Sequence, residues 1–257
     1  MLINDLITII EKEIKLINKE TGYKITKNIK KNNNDYLYAE DLLKEYFTFI
    51  FKTIPTNTPC KLKKSNEIKK SIKNLSPKYK KYYNNICKLI KKGEDIKPYQ
   101  SRYIDDIEKT DYLFYTWNIN HLHLSSEKSI YNKNHYLKNN SDYILFFIYK
   151  KNTVYLIDIV KHPYKDEWLK NDILEIATKN WPKLYEKNKL QSINNNPINN
   201  NKNYYELTRA KIITTIESNN NLYIPYFGGL STNGTPLSIM TNIDFILINI
   251  EKKTNLD

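Results

Sequence analysis

Apolar residues recur every three or four positions through the first part of the chain. Over residues 4–20, the side chains of Leu6, Ile10 and Ile14 share one face of a helix. A second apolar stripe over residues 39–51 has the same period. The pattern therefore predicts two amphipathic helices, each with one face buried against other parts of the protein.

The next helical pattern is also the most basic part of the chain. Residues 61–92 contain twelve lysines and one acidic residue, Glu67. Apolar residues at helical spacing run through them, Ser76 followed by Pro77 is a typical helix start, and Gly93 is a typical helix end. We therefore expect two helices that meet near residue 76 and carry the lysines on a folded scaffold.

From residue 111 the period changes to alternation, and aromatic and β-branched residues become dense. This pattern predicts strands over residues 112–124, 143–149 and 154–160. A turn over residues 150–153 would join the last two strands as a hairpin. The expected class is α+β, with a helical N-terminal part followed by a mainly antiparallel twisted sheet with flanking helices.

The remainder of the chain predicts helices over residues 165–179 and 205–217 and a final strand over residues 243–248. Between the two helices, residues 191–203 are rich in asparagine and are expected to form a surface loop.

Positive charge is unevenly distributed between two predicted domains, a basic helical domain at 1–110 and an α+β catalytic domain at 111–257. The net charge of the whole chain is +13, of which about +10 belongs to the first domain. A bias toward Lys, Asn, Ile and Tyr inflates the total without any ligand, but it does not explain this placement. The asymmetry favours a polyanionic partner, RNA or DNA, and the histidine chemistry considered below makes RNA the more expected of the two. The predicted contacts are Lys69, Lys70, Lys73, Lys80 and Lys81. The alternative is that these lysines bind no ligand and form a solvent-exposed helix face.

Localisation is predicted to be cytoplasmic, without membrane association. The first residues lack the apolar region of an export signal, and the chain lacks a long uncharged apolar run. The two cysteines, Cys60 and Cys87, have neither zinc-ribbon spacing nor the density of a disulfide scaffold. A reducing compartment suits this composition.

The histidines offer the clearest candidate chemistry. If His121 and His123 lie on a strand, alternation places both imidazoles on one face, and the same rule in the next strand aligns Asp158 with His162. We expect His121, His123 and His162 to form one site, because the strands that carry them belong to one predicted sheet.

Three interpretations of these histidines remain open. One is a divalent metal held by His121 and His123 with Asp158 or His162, as in a metal-dependent phosphohydrolase. The second needs no cofactor: one imidazole accepts the proton of a ribose 2′-hydroxyl, another protonates the leaving 5′-oxygen, and a cation stabilises the phosphorane. In the third, backbone carbonyls satisfy structural histidines. The chain lacks the common phosphate-loop, dinucleotide-binding, serine-hydrolase and zinc-protease motifs.

The arginines are few enough to be considered singly. The chain contains Arg102 and Arg209 and otherwise uses lysine for positive charge. A planar guanidinium binds phosphate with two parallel hydrogen bonds, so Arg102 is a candidate for substrate binding and Arg209 for catalysis. Pairing of Arg102 with Asp105 or Asp106, and of Arg209 with Glu206, is the structural alternative.

Residues 143–164, YILFFIYKKNTVYLIDIVKHPY, resemble the paired core strands of RelE-like endoribonuclease toxins. By that resemblance Lys161, His162 and Tyr164 would lie near the active site, Lys161 as a substrate contact and the other two as catalytic residues. The chain differs from that family in its large helical N-terminal part, its His121-Leu-His123 motif and its long C-terminal extension, so ribosome-dependent cleavage is not implied.

The function predicted from these observations is a metal-independent endoribonuclease of microbial toxin or phage-defence type, with a cognate inhibitor protein as a further expected partner. The alternatives are a non-catalytic nucleic-acid-binding module and a metal-dependent phosphohydrolase that uses His121 and His123.

Overall fold

The computed structural model describes residues 2–21, 25, 29, 31, 33–53, 57–96, 99–100, 111–125, 141–162, 171–190, 206–207, 210–232 and 234–254. The helices within these residues are α1 (Leu2–Thr21), α2 (Asp35–Lys52), α3 (Asn66–Asn74), α4 (Pro77–Lys92), α5 (Tyr112–Trp117), α6 (Asn171–Asn180) and α7 (Leu237–Thr254). The strands are β1 (Lys61–Lys64), β2 (Asn120–His123), β3 (Tyr143–Lys150), β4 (Thr153–Lys161), β5 (Ile216–Ser218) and β6 (Asn221–Tyr223). The predicted α+β class is confirmed.

A four-stranded sheet with the order β1-β4-β3-β2 forms the centre of the protein. β1 runs parallel to β4, and the other two pairs are antiparallel. β3 and β4 form the predicted hairpin, whose turn residues Lys151 and Asn152 have φ angles of 47° and 54°. Positive φ at both positions is what a two-residue type I′ turn requires.

A β-bulge reverses the alternation of side chains along β4. Phe146 pairs with Asp158, whereas the next residue, Phe147, pairs with Leu156, so Ile157 is the additional residue. Such an insertion makes two neighbouring residues oppose one on the partner strand. The alternation along β4 is broken here: Leu156 and Ile159, three positions apart, belong to one apolar cluster, and Ile157 and Val160 belong to another.

One face of the sheet, here called the α3/α4 face, is covered by the two lysine-rich helices. Ile68 of α3 and Ile86 of α4 are fully buried against Leu122, Leu145 and other apolar residues of the strands. Ser65 fixes the start of α3, because its hydroxyl accepts from the Ile68 amide at 2.8 Å. The helix start near residue 76 that the sequence predicted is confirmed.

The other face, here called the α6 face, packs against α5, α6 and the β5–β6 hairpin. Its buried residues include Phe146 and Ile157 from the sheet, Trp117 from α5 and Ile173 from α6. Two short 3₁₀ turns follow α6, and Tyr185 between them is fully buried with its hydroxyl donating to the Trp117 carbonyl at 2.9 Å.

A third apolar cluster joins α1, α2 and α7. Ile10 and Ile14 of α1 are buried with Leu42 of α2 and with Ile239 and Ile243 of α7. The first two helices of the sequence prediction are therefore confirmed, and the C-terminal helix completes their core.

Several predicted elements are wrong. The strand predicted over residues 112–124 is instead α5, capped by the Asp111 side chain and ended by Asn118 at a φ of 56°, followed by the short strand β2. The strand predicted over residues 243–248 lies inside α7. The helix predicted over residues 205–217 does not extend to its C-terminal end, where β5 begins.

Other predictions fall partly or wholly outside the described residues. The asparagine-rich stretch 191–203, the first residues of the helix predicted over 165–179 and residues 101–110 beside the predicted domain boundary are all in this group. The division at residue 110 stays a prediction. Strand β1 precedes that boundary and is hydrogen-bonded to β4, which follows it. No helix in the described part of the chain is both long and apolar enough to cross a bilayer.

Candidate active site

Three imidazoles lie in contact on the α6 face of the sheet. The ring centroids of His121 and His123 are 5.7 Å apart, and those of His123 and His162 are 5.4 Å apart. The structure therefore brings together histidines that the sequence separates by about forty positions.

Backbone pairing fixes the positions of these side chains. β2 is an edge strand in which His121 pairs with Phe146 and His123 with Ile144, while Leu122 faces the α3/α4 core. The amide of His162, just beyond β4, donates to the Asp142 carbonyl at 2.9 Å. All three imidazoles therefore project from hydrogen-bonded backbone at one end of the sheet.

Asp111 provides a carboxylate beside the cluster. One oxygen, Oδ1, accepts from the Phe114 amide at 3.0 Å as the cap of α5, and Oδ2 lies 4.0 Å from Nδ1 of His121. This separation permits an ion pair but exceeds hydrogen-bond length. The capping bond fixes the carboxylate, so it can act on His121 without a rearrangement.

Burial makes two of the imidazoles weak bases. It lowers the pKa of His123 to about 3, with smaller contributions from neighbouring His121 and His162. Burial also lowers the pKa of His121, while the Asp111 carboxylate acts in the opposite direction. Both rings are therefore neutral near pH 7 and each can accept a proton on one ring nitrogen.

His123 is the deepest member of the cluster, with 6% of its surface exposed. Among the described residues, no hydrogen-bond partner reaches its buried Nδ1 atom. A buried polar atom without a partner is unusual in a native core, because it costs about 1–3 kcal/mol of stability. His162 is partly exposed, so the cluster extends from the interior toward the surface.

Asp158 does not belong to this cluster, and its predicted alignment with His162 is wrong. Its carboxylate accepts a 2.6 Å hydrogen bond from Ser71 of α3, on the other face of the sheet, whereas Val160 packs on the α6 face. Burial raises the pKa of Asp158. Within the described ranges, no group of three or more His, Cys, Asp or Glu side chains has the placement to hold a metal ion. Asp158 therefore cannot complete a metal site with His121 and His123 in this arrangement.

The predicted lysine contacts lie on α3 and α4, on the opposite side of the sheet from the histidines. The side chains of Lys69, Lys70, Lys73 and Lys81 are exposed, and the Nζ atom of Lys80 donates to the Lys73 carbonyl at 2.9 Å. A polyanion on this group of lysines, here called the lysine surface, would reach the histidines only around the end of the sheet.

A group of aromatic residues occupies that end of the sheet. The ring centroid of Tyr79 lies 5.8 Å from that of Tyr82 and 4.7 Å from that of Tyr143. The Nζ atom of Lys78 is 5.6 Å from the Tyr79 centroid and 5.9 Å from the Tyr82 centroid. Tyr79 also donates a hydrogen bond to the carboxylate of Asp142. We call Lys78, Tyr79, Tyr82 and Tyr143 the tyrosine cluster.

The tyrosine cluster connects the lysine surface with the histidines, because Asp142 bonds both Tyr79 and the His162 amide. The sequence analysis of residues 61–92 did not identify this group. The signal for it was Lys78 at the start of α4, followed by partly buried tyrosines one and four positions later, Tyr79 and Tyr82.

Lys161, Tyr164, Arg102 and Arg209 are the remaining predicted site residues. Lys161 is exposed at the end of β4, where it pairs with Tyr143. Tyr164, Arg102 and Arg209 lie outside the described residues, so their predicted roles stay predictions.

Comparisons with protein-family models, with curated proteins and with solved structures gave no match for this chain.

Proposed function

We propose that the protein is a metal-independent endoribonuclease whose catalytic group is the histidine cluster. The observation that carries this proposal is the contact of His121, His123 and His162 beside the capped carboxylate of Asp111. Attack of a ribose 2′-hydroxyl on the adjacent phosphate of RNA requires one group that accepts a proton and one that donates a proton. Adjacent imidazoles can supply both.

His121 is the proposed general base. It accepts the proton of the ribose 2′-hydroxyl while the 2′-oxygen forms a bond to phosphorus, and the nearby Asp111 carboxylate stabilises the imidazolium that results. The partly exposed His162 is the proposed general acid, which donates a proton to the 5′-oxygen as the bond between that oxygen and phosphorus breaks. The products are a 2′,3′-cyclic phosphate and a free 5′-hydroxyl.

His123 lies between these two groups and would hold them at their spacing. Charge on the phosphorane needs a cation, for which Lys161 and Arg209 are the candidates. By the resemblance to RelE-like toxins, Tyr164 would also contact the reacting phosphate. The toxin or phage-defence setting and the cognate inhibitor rest on that resemblance alone. A cytoplasmic location suits the buried, unpaired thiols of Cys60 and Cys87.

The test is cleavage of a fluorescently labelled RNA and of the matched all-deoxy oligonucleotide in the presence of a chelator. We expect RNA to be cleaved to 2′,3′-cyclic phosphate ends and the deoxy strand to stay intact. Loss of activity in chelator, restored by a divalent ion, would instead support the metal-dependent phosphohydrolase. Cleavage of the deoxy strand would exclude attack by the 2′-hydroxyl.

Variants then assign the activity to the cluster. His121→Ala and His162→Ala should each reduce the cleavage rate at least about 100-fold, and the double variant should be little worse than either single one. Asn120→Ala is the matched control, because it alters the same edge strand at a position that faces away from His121. If circular dichroism shows that each variant is folded, histidine variants that cleave RNA as fast as Asn120→Ala would disprove the proposal.

A second function, nucleic-acid binding without cleavage, is favoured by the depth at which His121 and His123 are buried. The lysine surface would bind phosphates, and the tyrosine cluster offers faces on which unpaired bases stack, each worth about 1–3 kcal/mol. Binding of single-stranded RNA with no cleavage products would support this function over the nuclease.

The lysine surface is tested by the salt dependence of RNA affinity. Replacing three of its lysines with Gln should reduce the slope of log affinity against log salt by about 2, since each phosphate contact on a single strand contributes about 0.7. The substitutions are Lys69→Gln, Lys70→Gln and Lys73→Gln. The matched control removes three exposed lysines of α1 instead: Lys12→Gln, Lys15→Gln and Lys19→Gln. Equal slopes for the two triple variants would show that α3 is only a solvated face.

A further inference from the structure

A cavity of about 500 Å³ lies at the other end of the sheet from the histidine cluster. Its walls come from the end of β3, the 3₁₀ turns after α6, the segment 224–228 and the first turn of α7. The volume is within the range of small-molecule sites, about 300–1,000 Å³.

The charge of the cavity wall is entirely positive. Lys150, Lys183 and Lys187 line it, and none of the described residues that line it is acidic. Lysines around a concave space, with no carboxylate among the described lining residues, attract anions. Lys150 is also fixed in place, because its Nζ donates to the Tyr226 hydroxyl at 3.2 Å.

The rest of the lining is apolar and held rigidly. Ile224, Phe227 and Leu237 contribute hydrocarbon surface, and the ring of Phe227 lies 5.0 Å from that of Tyr226. The side-chain amide of Asn188 donates to the carbonyls of Pro225 and Tyr226 at 3.1 and 3.2 Å. The segment that forms this wall is therefore fixed before any ligand binds.

We propose that this cavity binds a phosphorylated ligand of nucleotide size, with its phosphate among the lysines and its ring system against the apolar wall. Inorganic phosphate alone would leave the apolar wall uncovered, and an unphosphorylated ring compound would leave the lysines unpaired. The site is separate from the proposed nuclease site, since Lys150 lies at the turn of the hairpin and His162 at its open end.

The experiment is isothermal titration of the full chain at low salt with adenosine 5′-monophosphate, uridine 5′-monophosphate, adenosine and sodium phosphate. We expect at least one nucleotide to bind about tenfold or more tightly than adenosine or phosphate. A decanucleotide with a 5′-phosphate, compared with the same strand lacking it, shows whether the phosphate also binds as the end of a nucleic acid. No binding of either nucleotide or of the 5′-phosphorylated strand at millimolar concentration would overturn the proposal.

Substitutions locate the binding in the cavity. Lys183→Gln and Lys187→Gln should each weaken the nucleotide about fivefold or more, whereas Lys189→Gln, which removes an exposed lysine outside the cavity, should leave the affinity unchanged. Equal affinity of the two cavity variants and the Lys189→Gln control would place the nucleotide elsewhere and refute the proposed site.

Discussion

Replacement of His123 by Phe should make the protein less sensitive to acid. In the unfolded chain a histidine titrates near pH 6.5, whereas burial lowers the pKa of the folded His123 to about 3. Between these two values the unfolded state binds a proton that the folded state excludes, so stability falls as pH falls below about 6.5. Above that pH the two states bind equally few protons at this position, and the effect vanishes.

The size of the effect follows from the pKa difference. Each pH unit below 6.5 costs about 1.4 kcal/mol until the folded pKa is reached, so the loss from this residue between about pH 7.5 and pH 5 is about 2 kcal/mol. His121 adds a loss of the same sign, because burial lowers its pKa too. That contribution is present in both the wild-type protein and the variant and cancels in the comparison.

Urea unfolding, followed by circular dichroism over this pH range, measures the difference. The exchange of imidazole for a phenyl ring also changes packing, but that change shifts the free energy of unfolding equally at every pH. The diagnostic quantity is therefore the change in the stability difference between the two proteins: the wild type should lose about 2 kcal/mol relative to His123→Phe between about pH 7.5 and pH 5. Two parallel curves from about pH 7.5 to pH 5 would refute the assignment of a strongly lowered pKa to His123.

Three further substitutions test other parts of the structure. Asp111→Asn keeps a capping side chain for α5 but removes the charge that raises the His121 pKa. The acidic limb of the rate–pH profile should therefore move to lower pH, and the cleavage rate should fall. An acidic limb at the wild-type pH would exclude His121 as the general base. Ser65→Ala should cost about 1–3 kcal/mol in urea unfolding, since the hydroxyl caps α3 and also donates to the Ile157 carbonyl at 2.5 Å; a loss below a few tenths of a kcal/mol would contradict this role. Gly93→Ala should destabilise by more than about 1 kcal/mol, because φ is 71° and the added Cβ would lie 2.6 Å from the Thr58 backbone; an unchanged melting temperature would show that the Thr58 segment yields easily.

The sequence predicted those features that depend on local spacing. Helical period identified α1, α2 and the break between α3 and α4, and the apolar runs around Lys151 and Asn152 identified the hairpin. Alternation placed His121 and His123 on one face, although their strand is much shorter than predicted. The clustering of His162 with them followed from the antiparallel order of the strands.

The errors have identifiable physical causes. Residues 112–117 are aromatic and resemble a strand, but the Asp111 cap and tertiary burial favour a helix. β1 consists of lysines around Leu62, and only its pairing with β4 makes it a strand. Asp158 was placed on the same face as His162 because nothing in the local pattern of β4 shows where its alternation is broken.

The parallel pairing of β1 with β4 imposes an order of events during synthesis. β1 precedes its partner by about 90 residues, which takes several seconds at translation rates of about 5–20 residues per second. During that interval α3 and α4 have been made, but the strands that cover Ile68 and Ile86 have not. Until β4 is synthesised, the apolar sides of α3 and α4 lack the strands that bury them in the folded protein. The lysines on the outer sides of these helices give the segment a net charge, which opposes aggregation.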